Sequence, residues 1–228
     1  MADSPLTVEH QEELHHQFVD PEQQRDAASL GMWLFLATEV MFFGGMFCAY
    51  LIYRLLYYKE FAAGSRSLDI WLGTTNTAVL ICSSLTVALG VRAAQMGKRK
   101  LVVLLLALTL VFGLAFLGIK GIEWYDKYVE HHIPGASFNA ADLVHDNPHL
   151  DPAPLQIYFS LYFAMTGLHA LHMIIGVGIF GYLTYHAWKG RYTPEYHTPV
   201  EIGGLYWHFV DIIWIYLFPL LYLIDRHR

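Results

Sequence analysis

The sequence predicts an all-α, polytopic membrane protein with five transmembrane helices in one bundle, and three observations predict it. Its 228 residues are 55% hydrophobic and only 15% charged, whereas charged residues make up about a quarter of an ordinary globular sequence. The mean hydropathy is +0.36. The missing charge is also concentrated, in five stretches with at most one formal charge each. About 20 apolar residues at 1.5 Å per residue cross a hydrocarbon core about 30 Å thick. Lipid offers the backbone no hydrogen bonds, so segments of that length fold as helices; the ten-residue alternation of a membrane barrel does not occur.

Residues 1–29 form a polar tail with seven acidic residues and only Arg25 as a base, the reverse of a secretion signal with its positive start. The spans follow in a single transmembrane domain over 30–228. Span 30–53 carries Glu39 alone; 68–91 carries Asp69 at its edge; 101–122 carries Lys120 near its end; 155–188 carries no formal charge; 202–224 carries Asp211, with Glu201 just before it. Tyr53, Trp71, Trp124, Tyr125, Tyr158, Trp188 and Tyr222 lie near span ends, as rings at headgroup level do. Of the connections 54–67, 92–100, 123–154 and 189–201, only the third is long. It holds Pro134, Pro148, Pro152 and Pro154 and is expected to lie on the membrane surface without a fold of its own. Lys and Arg divide seven and seven between the two sides; the cluster Arg92, Lys98, Arg99 and Lys100 tips the choice to a cytoplasmic N-terminus and an external C-terminus.

A net charge of −6, from 14 Lys+Arg against 20 Asp+Glu, supplies no basic surface for nucleic acid or anionic lipid, so membrane affinity must be hydrophobic. Cys48 and Cys82 lie in apolar spans without redox or metal spacing and read as small core residues. His131, His132, His145 and His149, among Glu130, Asp142, Asp146 and Asp151, match no defined metal site and read as a solvated His-rich loop, as do His15 and His16. No nucleophile motif or phosphate-cradling loop occurs, so neither a catalytic residue nor a metal site is assigned.

The informative groups are ionisable ones inside the spans. Glu39 is at mid-span, where an ionised carboxylate costs about 2.5 to 3.5 kcal/mol on insertion scales. Its one-turn neighbours Phe35, Leu36, Phe42 and Phe43 supply no countercharge. The expectation is a neutral acid facing other helices and able to exchange its proton; the alternative is a neutral packing contact. His169 and His172 are about 60° apart on one helix face, and Glu201, His208 and Asp211 fall within an arc of roughly 80° on the last span. The two stripes are expected to meet in an intramembrane polar network, with Asp211 accepting from a histidine. A di-iron site would need Glu-x-x-His, which the sequence lacks. A b-type haem between His208 and His169 or His172 stays open. A small transporter is disfavoured, because no repeat and no broken helix apart from Pro219 occurs.

LATEVMFFGG around Glu39, MTGLHALHMIIGV around His169 and His172, and EIGGLYWHFVDIIWIYLFPLLYL from Glu201 onward together resemble subunit III of the haem-copper cytochrome c oxidases, over nearly all five spans. The resemblance implies a subunit without redox centre that packs on subunit I. Haems and copper would belong to partner subunits, and subunit II and cytochrome c or another donor would be reached through the complex. It implies that the carboxylate at Glu39 is the one modified by a hydrophobic carbodiimide. It further implies that the chain binds phospholipid, sustains proton uptake into subunit I and protects the oxidase during turnover. Glu123, in GIEWYDKY, matches an acidic position at a family helix end. The mitochondrial form has two further N-terminal helices; the five-helix form resembles the bacterial one, hence an inner-membrane location, and lipid ligands do not carry over. The alternatives are subunit III of a quinol oxidase or of a nitric-oxide-reductase-associated homologue and, from another class, a free-standing diheme membrane cytochrome. The quinol branch often lacks a Glu at this position, which favours cytochrome c as donor.

Overall fold

The computed structural model describes residues 18–135, 138, 139, 141–146, 148–194 and 196–224. The first 17 residues of the polar tail, with His15 and His16, and the last four residues lie outside the described part. Seven helices occur among the described residues: α1 Pro21–Leu56, α2 Tyr58–Arg66, α3 Ile70–Gln95, α4 Arg99–Val129, α5 Ala141–Asp146, α6 Pro152–Trp188 and α7 Thr198–Tyr222. Five of them, α1, α3, α4, α6 and α7, are long and apolar enough to cross a membrane. All five contribute to one core, as the sequence predicts.

Three of the long helices, α1, α3 and α6, start where a polar side chain caps them rather than where apolarity begins. Asp20 accepts from Gln23 N at 2.7 Å, Asp69 from Trp71 N at 2.8 Å and Asp151 from Ala153 N at 3.0 Å, each satisfying an amide that a helix start leaves unpaired. Residues 21–29 of the expected tail are therefore helical. At its other end α4 runs seven residues past the apolar window, to Val129, and this extension carries Glu123 and Lys127.

Two expectations, for the third connection and for the cysteines, need correction. The first connection holds α2, whose Phe61, Ala62, Ala63, Gly64 and Ser65 are buried. Gly64 makes this possible, since a Cβ there would lie 2.4 Å from the Tyr158 ring. The third connection is shortened by α4 and α6, includes α5, and stacks buried His132 on Phe159 with centroids 4.8 Å apart. Cys48 and Cys82 are exposed rather than in the core, because each is on its helix's outward face. Tyr158 and Tyr222, near span ends, are fully buried, and both hydroxyls find partners inside.

α7 is the enclosed helix. In its apolar window 56% of residues are buried, against 17% in α1. It packs on α3 and α6, α4 packs on α3 and α6, and α1 leans on α7 and α6. Glycines let the large rings of α7 in: a Cβ at Gly113 would come within 2.7 Å of Trp207, and one at Gly176 within 2.9 Å. Trp207 Nε1 donates to Ser83 Oγ at 2.7 Å and Trp214 Nε1 to Thr77 Oγ1 at 3.0 Å, which fixes α3 antiparallel to α7. The last turn of α7 follows Pro219, and its carbonyls lack helical donors. Two tyrosines supply them: Tyr50 OH from α1 donates to Leu220 O at 2.5 Å, and Tyr158 OH from α6 to Leu221 O at 3.0 Å.

Candidate functional site

Glu39 faces α6, where His172 Nε2 lies 3.3 Å from Glu39 Oε2. That is ion-pair distance, while the angle is outside hydrogen-bond geometry. The other ring nitrogen, Nδ1, is 2.8 Å from Leu168 O. A carbonyl only accepts, so Nδ1 carries a hydrogen and Nε2 presents either a lone pair or a second N–H to the carboxyl. One proton can therefore reside on either partner, as Glu–COOH beside neutral imidazole or as carboxylate beside imidazolium. Phe43 meets the imidazole edge-on with centroids 5.5 Å apart, and Tyr206 lies over it at 6.5 Å while donating to His172 O at 2.9 Å. The Glu39 side chain retains 19% exposure because α1 is at the bundle's edge.

The remaining polar stripe groups are not gathered into one bonded chain. His169 is 1% exposed, packed against Phe116 at 5.4 Å and Trp214 at 5.2 Å. Neither of its ring nitrogens has a hydrogen-bond partner among the described residues. His208 Nδ1 pairs with Ser84 Oγ at 2.8 Å. Asp211, 3% exposed, lies beside Ser84, but its oxygens bond no histidine and no other partner among the described residues. Glu201 is at the far end of the bundle, accepting from Gln95 Nε2 at 2.7 Å with His197 Nε2 at 3.1 Å.

A buried cluster that sequence reasoning did not assemble surrounds Glu123. Lys120 Nζ donates to Glu123 Oε2 at 3.1 Å, to Tyr162 OH at 3.2 Å and to Tyr222 OH at 2.7 Å. Tyr162 OH donates to Glu123 Oε1 at 2.7 Å, and Tyr222 OH donates to the same oxygen. All three ammonium hydrogens and both hydroxyls are thus used, and Lys120 Nζ also lies 5.0 Å from the centroid of the Trp214 ring. The cluster joins α4, α6 and α7 with no net charge. The signal for it was the opposite-charge pair Lys120 and Glu123 three residues apart, on neighbouring turns, at what the apolar window treats as its end. Glu123 also lines a cleft of about 540 Å³ with Ser67, Asp69, Leu72, Asp126 and Glu130. Nearby, Lys127 Nζ donates to Ser67 O at 2.8 Å and to Glu130 Oε2 at 2.5 Å. No group of three or more His, Cys, Asp or Glu is placed to hold a metal among the described residues.

Comparison with known proteins gives consistent matches. A family model described as cytochrome c oxidase subunit III matches residues 12–149 and 151–225. The chain is 32% identical over 198 residues to cytochrome c oxidase subunit 3 of Oncorhynchus mykiss, covering 84% of this chain and 67% of that one. The protein of that name from Gadus morhua matches to the same extent. A probable cytochrome c oxidase subunit 3 from Nocardia farcinica is 31% identical over 196 residues, covering 86% of this chain and 87% of the relative.

Proposed function

The chain belongs to the cytochrome c oxidase subunit III family, and from that premise we propose that it is the non-redox subunit III of a bacterial cytochrome c oxidase. As a member of the family it is a multi-pass membrane subunit of a respiratory oxidoreductase complex. The bacterial assignment is supported by the five-span bundle and by the nearly end-to-end match to the Nocardia relative, against two thirds of the fish one. In this reading the chain lies in the inner membrane with its N-terminus cytoplasmic. It packs on subunit I, binds phospholipid, and leaves electron transfer from cytochrome c to haem and copper in partner chains. Its own contribution is to sustain proton uptake and stability of subunit I.

The observation that carries the proposal is the contact between Glu39 and His172. A lone ionised carboxylate is disfavoured in a low-dielectric interior, but an imidazole at 3.3 Å whose tautomer is set by Leu168 O gives the proton a second place to reside. The pair with one proton is neutral whichever member holds it, so the acid need not rest there as an isolated buried charge. A protonated carboxyl adds to a hydrophobic carbodiimide, its proton passing to a nitrogen of the reagent as its oxygen bonds the central carbon, so labelling reports this state. Glu39→Gln is expected to abolish labelling while leaving assembly intact, as read by mass spectrometry of the complex. Unchanged labelling in that variant would place the reactive acid elsewhere and refute the assignment.

A further inference from the structure

We propose that the outward strip of α7 around His208 seats a membrane-spanning helix from another chain of the oxidase, which presents an uncharged hydroxyl or carboxamide side chain to His208 Nε2. The proposal rests on the reading of this chain as one subunit of a larger membrane complex, and it names the face and the chemistry of one contact. Ser84 and His208 stand near the midpoints of α3, Ile70–Gln95, and α7, Thr198–Tyr222. Both are therefore near the middle of the hydrocarbon core. His208 Nδ1 pairs with Ser84 Oγ at 2.8 Å, and the ring is half-buried. Its other nitrogen, Nε2, has no partner among the described residues and is not one of the enclosed polar atoms. In either neutral tautomer Nε2 has a hydrogen bond to give or to take. Acyl chains offer none, and a polar group left bare in hydrocarbon is costly. In membrane bundles a neighbouring helix supplies the missing partner.

The shape around His208 fits one helix. At 100° per residue, Ile212, Ile215 and Pro219 fall within about 40° of His208 around α7. All three are exposed, Ile212 at 50% and Ile215 at 47%, so they form an apolar strip with His208 as its polar group. Phe209, about 100° to one side, packs on Phe43 of α1 with centroids 6.3 Å apart. Trp214, about 120° to the other side, donates to Thr77 of α3 at 3.0 Å. The strip is thus the floor of a trough with α1 as one bank and α3 as the other. Ile81, about 60° beyond Ser84 on α3 and 54% exposed, continues the apolar surface up that bank.

The charge of the partner group follows from what the trough lacks. The acid beside it, Asp211, is 3% exposed and both its oxygens are enclosed, so it gives a visiting lysine or arginine no surface countercharge. A cation seated on the Ser84–His208 pair would lie unpaired in hydrocarbon. A hydroxyl or a carboxamide carries both a donor and an acceptor, and so bonds Nε2 in whichever tautomer Ser84 selects. The remainder of the visiting helix needs only apolar side chains to lie against Ile212, Ile215 and Ile81.

The experiment uses the purified complex in mild detergent, with a photoreactive phenylalanine analogue in place of Ile212, and reads the crosslinked peptides by mass spectrometry. Attachment is expected on a membrane-spanning segment of another chain, with a Ser, Thr, Tyr, Asn or Gln within about one turn of the attachment point. Attachment only to lipid or detergent, to a second copy of this chain, or to a segment without such a side chain overturns the proposal. The rate at which the chain leaves the complex on transfer to a harsher detergent separates the outer bond of His208 from the inner one. His208→Leu loses both bonds, and Ser84→Ala loses only the bond within the bundle. His208→Leu is expected to speed dissociation about threefold to tenfold, and Ser84→Ala to leave it within about twofold. Equal acceleration in the two variants would assign the effect to the α3–α7 bond and overturn the contact at Nε2, as would unchanged dissociation in His208→Leu. A chain that purifies with no other polypeptide refutes the reading of it as a subunit, an outcome distinct from a complex whose chains do not meet at this strip.

Discussion

Glu123 and Lys120 show what a single buried charge demands of its surroundings. Each is 2% exposed, and each would be an isolated ion without the other. Removing one partner of such a pair is destabilising by about 3 to 5 kcal/mol, whereas replacing both is often close to neutral. Glu123→Gln is therefore expected to lower the thermal midpoint of the chain in detergent sharply, and Lys120→Met combined with Glu123→Gln to recover most of the loss. A double variant as unstable as the single one would show that the tyrosine hydroxyls, rather than the charge pair, carry the stability. Glu39 was legible in the sequence because it is the lone formal charge in its span. Its partner His172 was visible as a residue but not as a partner, because the contact depends on how α1 leans on α6. Asp211 illustrates the opposite case: its helical phase with His208 and Glu201 is plain in the sequence, yet the structure gives Ser84 to His208 and Gln95 to Glu201.

Among the elements, α2 was the least legible. Nine residues are too few to span a bilayer, and in YKEFAAGSR little but Gly64 hints at close packing. Gly64→Ala puts a methyl 2.4 Å from the Tyr158 ring, and overpacking of this kind costs typically about 1 to 3 kcal/mol. The shift should also disturb the Tyr158 bond to Leu221 O. Gly31→Ala in α1, where nothing lies within 4 Å of the added Cβ, is expected to be neutral or mildly stabilising through helix propensity alone. Parallel denaturant melts of the two variants check this, and equal effects would mean that α2 does not dock against α6 as described. The long helices were legible because apolarity sets their existence. Their ends were not, because a cap such as Asp20 or Asp151 is a local hydrogen bond that a twenty-residue average cannot register.

For the whole molecule, enclosure falls off from α7 to α1. A lipid-soluble photoreactive probe should mark Trp33, Leu34, Met41 and Leu55 of α1, all well over half exposed, in the chain held in detergent by itself. It should spare Trp207 and Trp214, both at 0%. Comparable marking of α7 would contradict the packing order. The five-helix bundle followed from composition, but the order of enclosure did not, since the apolar windows of α1, α3 and α6 have the same mean hydropathy of 1.7. The bond from Tyr50 OH to Leu220 O joins the first of these five spans to the fifth. Until α7 has been synthesised, α1 waits in the bilayer with an unsatisfied phenol and a bare flank. Bundle closure thus waits on α7, and a nascent chain stalled before Leu220 would leave α1 without the carbonyl that its phenol binds.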